Sequence, residues 1–311
     1  MLGTLRRTTA APVLLLRRRP LSSLASLSDG AATLYPPELT SESLRRLLTG
    51  EALALVVRGW YPAAECAARA AAVSNAAGAR PWHVATLGGG VAESGVEADV
   101  EPLAMAAARG PEALEAYFKG SLGTMRDARR RHAGASLLPA DLLRLELDEC
   151  WPDGATVGKR TSPADGSIAP HIAGVGRTMR GPTADALGYV HVDELAPLSP
   201  TAGLFSANVY LQVPPVGGEL HVWDTAFSRL QFYANADTLS LLATPPGDAA
   251  AQAALRAALP EPALTFAPAP GDLVILSVQR PHCVQGFPVG DRVTVQCFLD
   301  YEEGRALRLE S

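Results

Sequence analysis

The stretch Pro270-Gly271-Asp272-Leu273-Val274-Ile275-Leu276-Ser277-Val278, with Pro281-His282 just beyond it and Arg292-Val293-Thr294-Val295-Gln296-Cys297-Phe298 after that, decides how this chain is read. A Pro-Gly turn opens a short, unbroken apolar run of the length of one buried strand. The later stretch alternates. Successive side chains on a strand point to opposite faces, so Arg292, Thr294, Gln296 and Phe298 share one face and Val293, Val295 and Cys297 the other. The same alternation recurs upstream. Ser206, Asn208, Tyr210 and Gln212 lie opposite Phe205, Ala207, Val209 and Leu211; Glu219, His221 and Trp223 lie opposite Leu220 and Val222; Tyr189, His191 and Asp193 lie opposite Val190 and Val192. A solvated strand face usually carries Lys, Glu and Thr. These polar faces carry His, Asp, Asn, Tyr, Gln and Arg, which points to the lining of a cavity.

Working outward, candidate strands fall at 168–174, 187–193, 204–213, 218–223, 262–267, 272–278 and 291–300, with one helix at about 248–258. The 28 glycines and 25 prolines punctuate these segments. Short strands separated by turn signals indicate a jelly roll or sandwich. Residues 29–152 read as a mainly helical part: a short helix after Thr40, a buried strand Ala52 to Val57, and helices over 63–77, 112–131 and 139–150. Residues 80–103 carry no clear period. The expected fold is mainly β with flanking helices on a double-stranded β-helix (jelly-roll, cupin-like) core at 153–303, and residues 29–311 form one unit.

His191-Val192-Asp193 places an imidazole and a carboxylate on one side of a strand, able to grip one ion together. His282 supplies a third candidate ligand. Two histidines and one carboxylate make the facial triad of non-haem iron sites, which leaves positions open for other ligands; zinc hydrolases use the same donor types. Arg292, with Thr294 on the same face, offers a planar guanidinium and a hydroxyl to a carboxylate.

Taken together, His191-x-Asp193, His282 and Arg292-x-Thr294, with Gly217-Gly218-Glu219-Leu220 and the 270–276 run, resemble the 2-oxoglutarate and Fe(II)-dependent dioxygenases. The resemblance covers about residues 180–301, with a weaker echo at Val56 to Cys66. It implies a double-stranded β-helix, Fe(II) held by His191, Asp193 and His282, and 2-oxoglutarate held at its distal carboxylate by Arg292 with Thr294. Asn208 and Tyr210 are further candidates for the co-substrate. The implied reaction consumes dioxygen and 2-oxoglutarate, releases succinate and CO2, and oxidises a small polar metabolite such as an amino acid. Related halogenases have a small residue where Asp193 stands, so hydroxylation or another oxidation is implied. Hydroxylation of a protein side chain is the alternative on the same core. A cupin-like metal-binding protein and a catalytically silent binding module are alternatives of another class.

Three further residues are candidate substrate contacts: His221, which is also the alternative third ligand, and Arg177 and Arg180 ahead of the first metal-ligating segment. His83 and His132 lack a partner pattern and read as structural. The charge balance of 27 basic and 32 acidic residues argues against a nucleic-acid partner. Residues 1–28 contain Arg6, Arg7, Arg17, Arg18 and Arg19 and no acid, the composition of a mitochondrial or chloroplast transit peptide. No segment has transmembrane length. Four cysteines without CxxC spacing read as buried thiols.

Overall fold

A computed structural model describes residues 30–85, 91–132, 134–161, 165–225, 242 and 247–311. The transit-like segment 1–28 lies outside them. In chain order the elements used below are β1 (Ala32–Leu34), α1 (Ser41–Leu48), β2 (Ala52–Val57), α2 (Ala63–Ser74), β3 (Arg80–Ala85), β4 (Val91–Ala98), α3 (Leu103–Ala108), α4 (Pro111–Arg131), α5 (Pro139–Cys150), β5 (Ala155–Val157), β6 (Lys159–Thr161), β7 (Ile168–Pro170), β8 (Val175–Arg180), β9 (Ala202–Gln212), β10 (Leu220–Val222), α6 (Ala249–Ala258), β11 (Leu264–Phe266), β12 (Leu273–Ser277), β13 (His282–Val284), β14 (Asp291–Glu302) and β15 (Leu307–Glu310).

Two sheets form the core. The large one runs β1-β2-β12-β9-β14-β8-β4-β3, with β15 on β14 and β5 on β15; the small one runs β11-β10-β13. The alternation in the sequence sets which face goes where. Phe205, Ala207, Val209, Leu211, Val293, Val295, Cys297 and Leu299 point outward and pack with buried residues of α1, α2 and α5, including Leu44, Leu47, Val73, Leu143 and Leu147. Complete burial of each valine, leucine or phenylalanine among them is worth roughly 1.5–3 kcal/mol before entropy is counted. On the inner face the sheet is divided. Leu53, Val56, Val274 and Leu276, on β2 and β12, meet Leu220, Val222 and Phe266 of the small sheet and close one end of the roll. The inner residues of β8, β9 and β14 are polar and leave the other end open. Helix α6 covers the outside of the small sheet, where Leu255 and Ala258 pack on Val190, Trp223 and Cys283.

The Pro270-Gly271-Asp272 turn is a junction of three strands. Gly271 adopts φ +95°, and a Cβ there would collide with the Tyr61 carbonyl oxygen. Tyr61 N–H donates to the Gly271 carbonyl (2.8 Å), Gly271 N–H to Tyr210 (2.8 Å) and Tyr210 N–H to Asp272 (2.9 Å). The buried Asp272 carboxylate accepts from Gly59 N–H (2.9 Å) and Arg58 Nη1 (2.7 Å). The echo at 56–66 is therefore the mate of this turn.

Several expectations are corrected. The part read as mainly helical contributes β1 to β4 to the large sheet. Within residues 80–103, which show no clear period, 80–85 and 91–98 pair antiparallel as β3 and β4, and α3 starts at Leu103. The candidate strand 168–174 is β7 alone; the chain breaks at Gly174 (φ +87°) before β8 begins. The helix read to residue 77 ends at Ser74, ahead of Asn75-Ala76-Ala77-Gly78. Strand pairing continues past 303, because β15 pairs with β14. The candidate strand 187–193 is reduced to one antiparallel bridge, His191 to His282. Its other backbone groups are taken elsewhere, as described below. Cys66, Cys150, Cys283 and Cys297 are free thiols. Among the described residues no helix is long and apolar enough to cross a membrane.

Arg280, on the turn between β12 and β13, is fully buried and pairs with Asp224 at 2.6 Å. The same carboxylate accepts the Gly30 and Ala31 N–H groups (2.7 and 3.1 Å). Asp224→Ala takes the Asp224 charge away from a buried guanidinium, and a loss of about 3–5 kcal/mol is expected in denaturant unfolding.

Candidate metal and anion site

The bridge brings the three candidate ligands together. His191 N–H donates to the His282 carbonyl and His282 N–H to the His191 carbonyl, both at 3.0 Å. Asp193 N–H then leaves this pairing for the Val278 carbonyl (3.0 Å), which turns its side chain back over the histidines. His191 Nε2 lies 3.6 Å from Asp193 Oδ1 and His282 Nε2 lies 3.3 Å from Oδ2. One ligand atom from each residue lies within 4.8 Å of the others. Each Nδ1 faces a backbone carbonyl at 2.9 Å, of Tyr189 for His191 and of Arg280 for His282. A carbonyl only accepts, so each ring carries its proton on Nδ1 and offers the Nε2 lone pair to a cation. Without a metal, burial opposes ionisation of Asp193, but an imidazole protonated at Nε2 as well outweighs it and holds the carboxyl well below the usual carboxylate range; a cation would take that proton's place.

Residues outside the cluster fix its geometry. Tyr189 stacks on the His191 ring (4.9 Å between centroids, 9° between planes). The Gln252 amide, buried on α6, clamps Val190: its Oε1 accepts Val190 N–H (2.9 Å) and its Nε2 donates to Val190 C=O (3.0 Å). These bonds replace the strand ladder expected at 187–193. Neither residue stood out as a site candidate in the sequence, since Gln252 sits in an ordinary alanine-rich helix.

Beside the cluster, the register of the large sheet builds a polar lattice. Thr294 faces Arg177 on one side and Tyr210 on the other, and Gln296 pairs with Asn208. Arg292 is buried. It donates from Nη2 to Tyr210 Oη (3.2 Å), lies 4.9 Å from the Tyr210 ring centre, and its Nη1 rests 3.9 Å from the Met179 sulfur. Arg292 Nε and Thr294 Oγ1 are buried with no hydrogen-bond partner. A buried donor left unmade costs about 1–3 kcal/mol, so these two atoms mark where an acceptor belongs. Asn208 and Gln296 both donate to Ser206 Oγ at 2.7 Å. Arg177 bonds Gln296 Oε1 and lies over the Trp82 ring at 4.8 Å. Burial first, and then the neighbouring Arg292, pull the Arg177 guanidinium down to about 10. Two cations in one recess, each with donors to spare, make a site for anions.

The cluster opens into a cavity of about 650 Å³ whose walls include Trp82, Leu103, Leu195, Leu204 and Phe298, along with His83. The polar lining expected from the strands holds for the inner recess, whereas the mouth is largely apolar. Trp82 and His83 come from β3, in the stretch without a sequence period, so their place in the cavity was not legible. His132, by contrast, bonds Ser136 and Arg69 away from the cavity.

Two candidates lie elsewhere. His221 pairs across the small sheet with Cys283, not His282, so it projects to the side covered by α6, beside Trp223 (6.2 Å between centroids). Burial, then Arg256, lowers its pKa. It is absent from the metal-ligating group. Arg180 points to the α2 side of the large sheet, where it pairs with Glu97 and donates to the Ser74 carbonyl. Both corrections follow from strand parity: the inner residues of β8 are Arg177 and Met179, and those of β10 are Leu220 and Val222.

No family profile matches the sequence, and no curated protein matches it. Solved structures do match in fold. An N-substituted L-amino acid dioxygenase from Burkholderia ambifaria AMMD, in complex with alpha-KG, superposes with TM-score 0.53 at 15% identity over 87% of this chain and 91% of that one. A second structure of an N-substituted L-amino acid dioxygenase from the same organism gives TM-score 0.52 with the same identity and coverage. The chain thus has the mainly β jelly-roll fold found in 2-oxoglutarate-dependent dioxygenases, and it carries a His-Asp-His group inside the roll.

Gln252→Leu strips both partners from buried Val190. The expected result is a loss of about 2 kcal/mol or more and roughly 10–100-fold weaker Zn(II) binding by calorimetry. A core substitution of equal stability cost, such as Leu143→Ala under α5, is expected to leave Zn(II) affinity unchanged.

Proposed function

We propose that the protein is a 2-oxoglutarate-dependent Fe(II) dioxygenase acting on a small molecule. The observation that carries this reading is a conjunction inside one roll: the grouped donors of His191, Asp193 and His282, and the buried Arg292 Nε and Thr294 Oγ1 on β14 that have no partner among the described residues. The donor set fits a divalent iron, since it is two neutral imidazoles and one carboxylate grouped on one side of the ion. The orphaned donors fit the distal carboxylate of a dicarboxylic acid. The fold neighbour described as binding alpha-KG supports the same co-substrate.

In this reading His191, Asp193 and His282 hold the iron, and their backbone-bonded Nδ1 protons keep both Nε2 atoms aimed at it. Arg292 Nε and Thr294 Oγ1 hold the far carboxylate of 2-oxoglutarate, and the Tyr210 phenol positions the guanidinium from its other edge. Iron supplies oxidation of a substrate C–H by dioxygen, coupled to conversion of 2-oxoglutarate to succinate and CO2. Asp193 fills a ligand position that a halide would need, which favours hydroxylation or another oxidation. The apolar mouth suits a substrate with an apolar body beside its polar group, which narrows the expectation of a small polar metabolite such as an amino acid. An N-substituted amino acid, the substrate class of the fold neighbour, has that character.

Anaerobic addition of Fe(II) and 2-oxoglutarate is expected to produce the visible metal-to-ligand charge-transfer band of the chelated keto acid. Its absence from the wild-type protein overturns the reading. Arg292→Gln is expected to raise the 2-oxoglutarate dissociation constant by roughly 10–100-fold, the worth of one charged hydrogen-bonded pair. Zn(II) affinity should be unchanged in that variant.

A further inference from the structure

Three arginines, Arg177, Arg280 and Arg292, carry their charge into the core. Arg280 is paired with Asp224. Arg292 is accounted for by the proposed co-substrate. Arg177 remains. It is half-buried on the inner face of β8, its one side-chain hydrogen bond among the described residues goes to the neutral Gln296 amide, and its Nε is buried with no partner. A guanidinium removed from water costs several kcal/mol unless an anion meets it. Its neighbours on the adjacent strands are neutral: Thr294 and Gln296 on β14, and Ala98 on β4.

Direction separates the two cations. Along β14 the inner residues run Arg292, Thr294, Gln296, Phe298, from the deep end of the recess to the wall of the large cavity. Arg292 turns to the deep end, against Met179 and Tyr210. Arg177 starts opposite Thr294 but reaches forward to Gln296, and its guanidinium lies over the Trp82 ring at 4.8 Å from the centroid; Trp82 is itself a wall of that cavity. The guanidinium therefore lies behind the Trp82 wall of the cavity, between that wall and the polar recess, within electrostatic reach of Asp193.

We propose that Arg177 is the anchor for a carboxylate on the substrate, so that the substrate is an organic acid with an apolar body. The acid group sits on Arg177 beside Trp82. The body fills the space bounded by Leu103, Leu195, Leu204 and Phe298, and a C–H between the two faces the His191/Asp193/His282 group. This rests on the dioxygenase reading and adds the charge and polarity of the substrate to it.

The test uses the full chain loaded with redox-inert Zn(II) and 2-oxoglutarate, titrated in a calorimeter with 4-phenylbutanoate and, separately, with the neutral 4-phenylbutanamide. The wild type is expected to bind the acid at least about tenfold tighter than the amide, the worth of a charge-assisted hydrogen bond. Arg177→Gln should erase that preference, and Arg177→Lys should keep part of it while showing that the fold tolerates the site. The 2-oxoglutarate dissociation constant of Arg177→Gln should stay within about threefold of wild type. Equal binding of acid and amide by the wild type, or binding of neither at millimolar concentration, overturns the proposal. So does a loss of 2-oxoglutarate affinity in Arg177→Gln matching that in Arg292→Gln, which would assign both arginines to the co-substrate and leave the dioxygenase reading standing. If the wild type binds no 2-oxoglutarate, that reading fails and the proposal falls with it.

Discussion

The two backbone hydrogen bonds between His191 and His282 are the constraint on which the site depends. They join a loop to a strand far along the chain, and they set both imidazoles on one side with their rings 4.5 Å apart. Everything around them serves that bridge. Gln252 takes the backbone groups of Val190 on one flank, the Val278 carbonyl takes Asp193 N–H on the other, and the Arg280 carbonyl orients His282. Arg280 is in turn locked by Asp224, so a buried ion pair at the edge of the roll bears on a histidine inside it. Bonding every ring and backbone group at such a cluster leaves one unsatisfied feature, the facing Nε2 and carboxylate lone pairs, and that is what a cation completes.

The second organising feature is a change of polarity along the inside of the roll. Where β2 and β12 face the small sheet, the interior is sealed by Val56, Val274, Leu276 and Phe266. Where β8, β9 and β14 lie side by side, the inward positions carry Arg177, Thr294, Tyr210, Gln296 and Asn208. Past Phe298 the lining turns apolar again. A polar band between two apolar zones gives an anion one place to sit. It also gives a substrate two distinct environments, one for a head group and one for a body. Because a shift of one residue would exchange inner and outer faces throughout, the pairing of β14 with both β8 and β9 is what holds this band in place.

Much of this was legible in the sequence, and the reasons are physical. Strand parity alone sorted Arg292, Thr294 and Gln296 from Val293, Val295 and Cys297, because burial of the apolar set against α2 and α5 leaves no other register. Parity also held the correction for His221 and Arg180: His221 alternates with Leu220 and Val222, which the core takes inside, and Arg180 lies on the opposite face of β8 from Arg177 and Met179. Less legible was whatever depends on contacts distant in sequence and without period. The β3–β4 hairpin carries glycine and mixed polarity and becomes a strand pair only by adding to β8, so Trp82 and His83 gave no sign of lining a cavity. Gln252 is one polar residue in an alanine-rich helix, and its role appears only when that helix is laid over Val190. The segment 187–193 has strand alternation, yet a side chain from α6 and a turn carbonyl claim its hydrogen bonds.

The central claim is that one recess holds a divalent metal at one end and a dicarboxylate at the other. It is tested most directly by a crystal structure of the protein grown anaerobically with Fe(II) and 2-oxoglutarate, with data collected on both sides of the iron absorption edge. The account predicts one anomalous peak shared by His191 Nε2, His282 Nε2 and Asp193, with the distal carboxylate of 2-oxoglutarate on Arg292 Nε and Thr294 Oγ1. An iron peak that excludes any of those three residues, or a 2-oxoglutarate carboxylate lying away from Arg292, would contradict it.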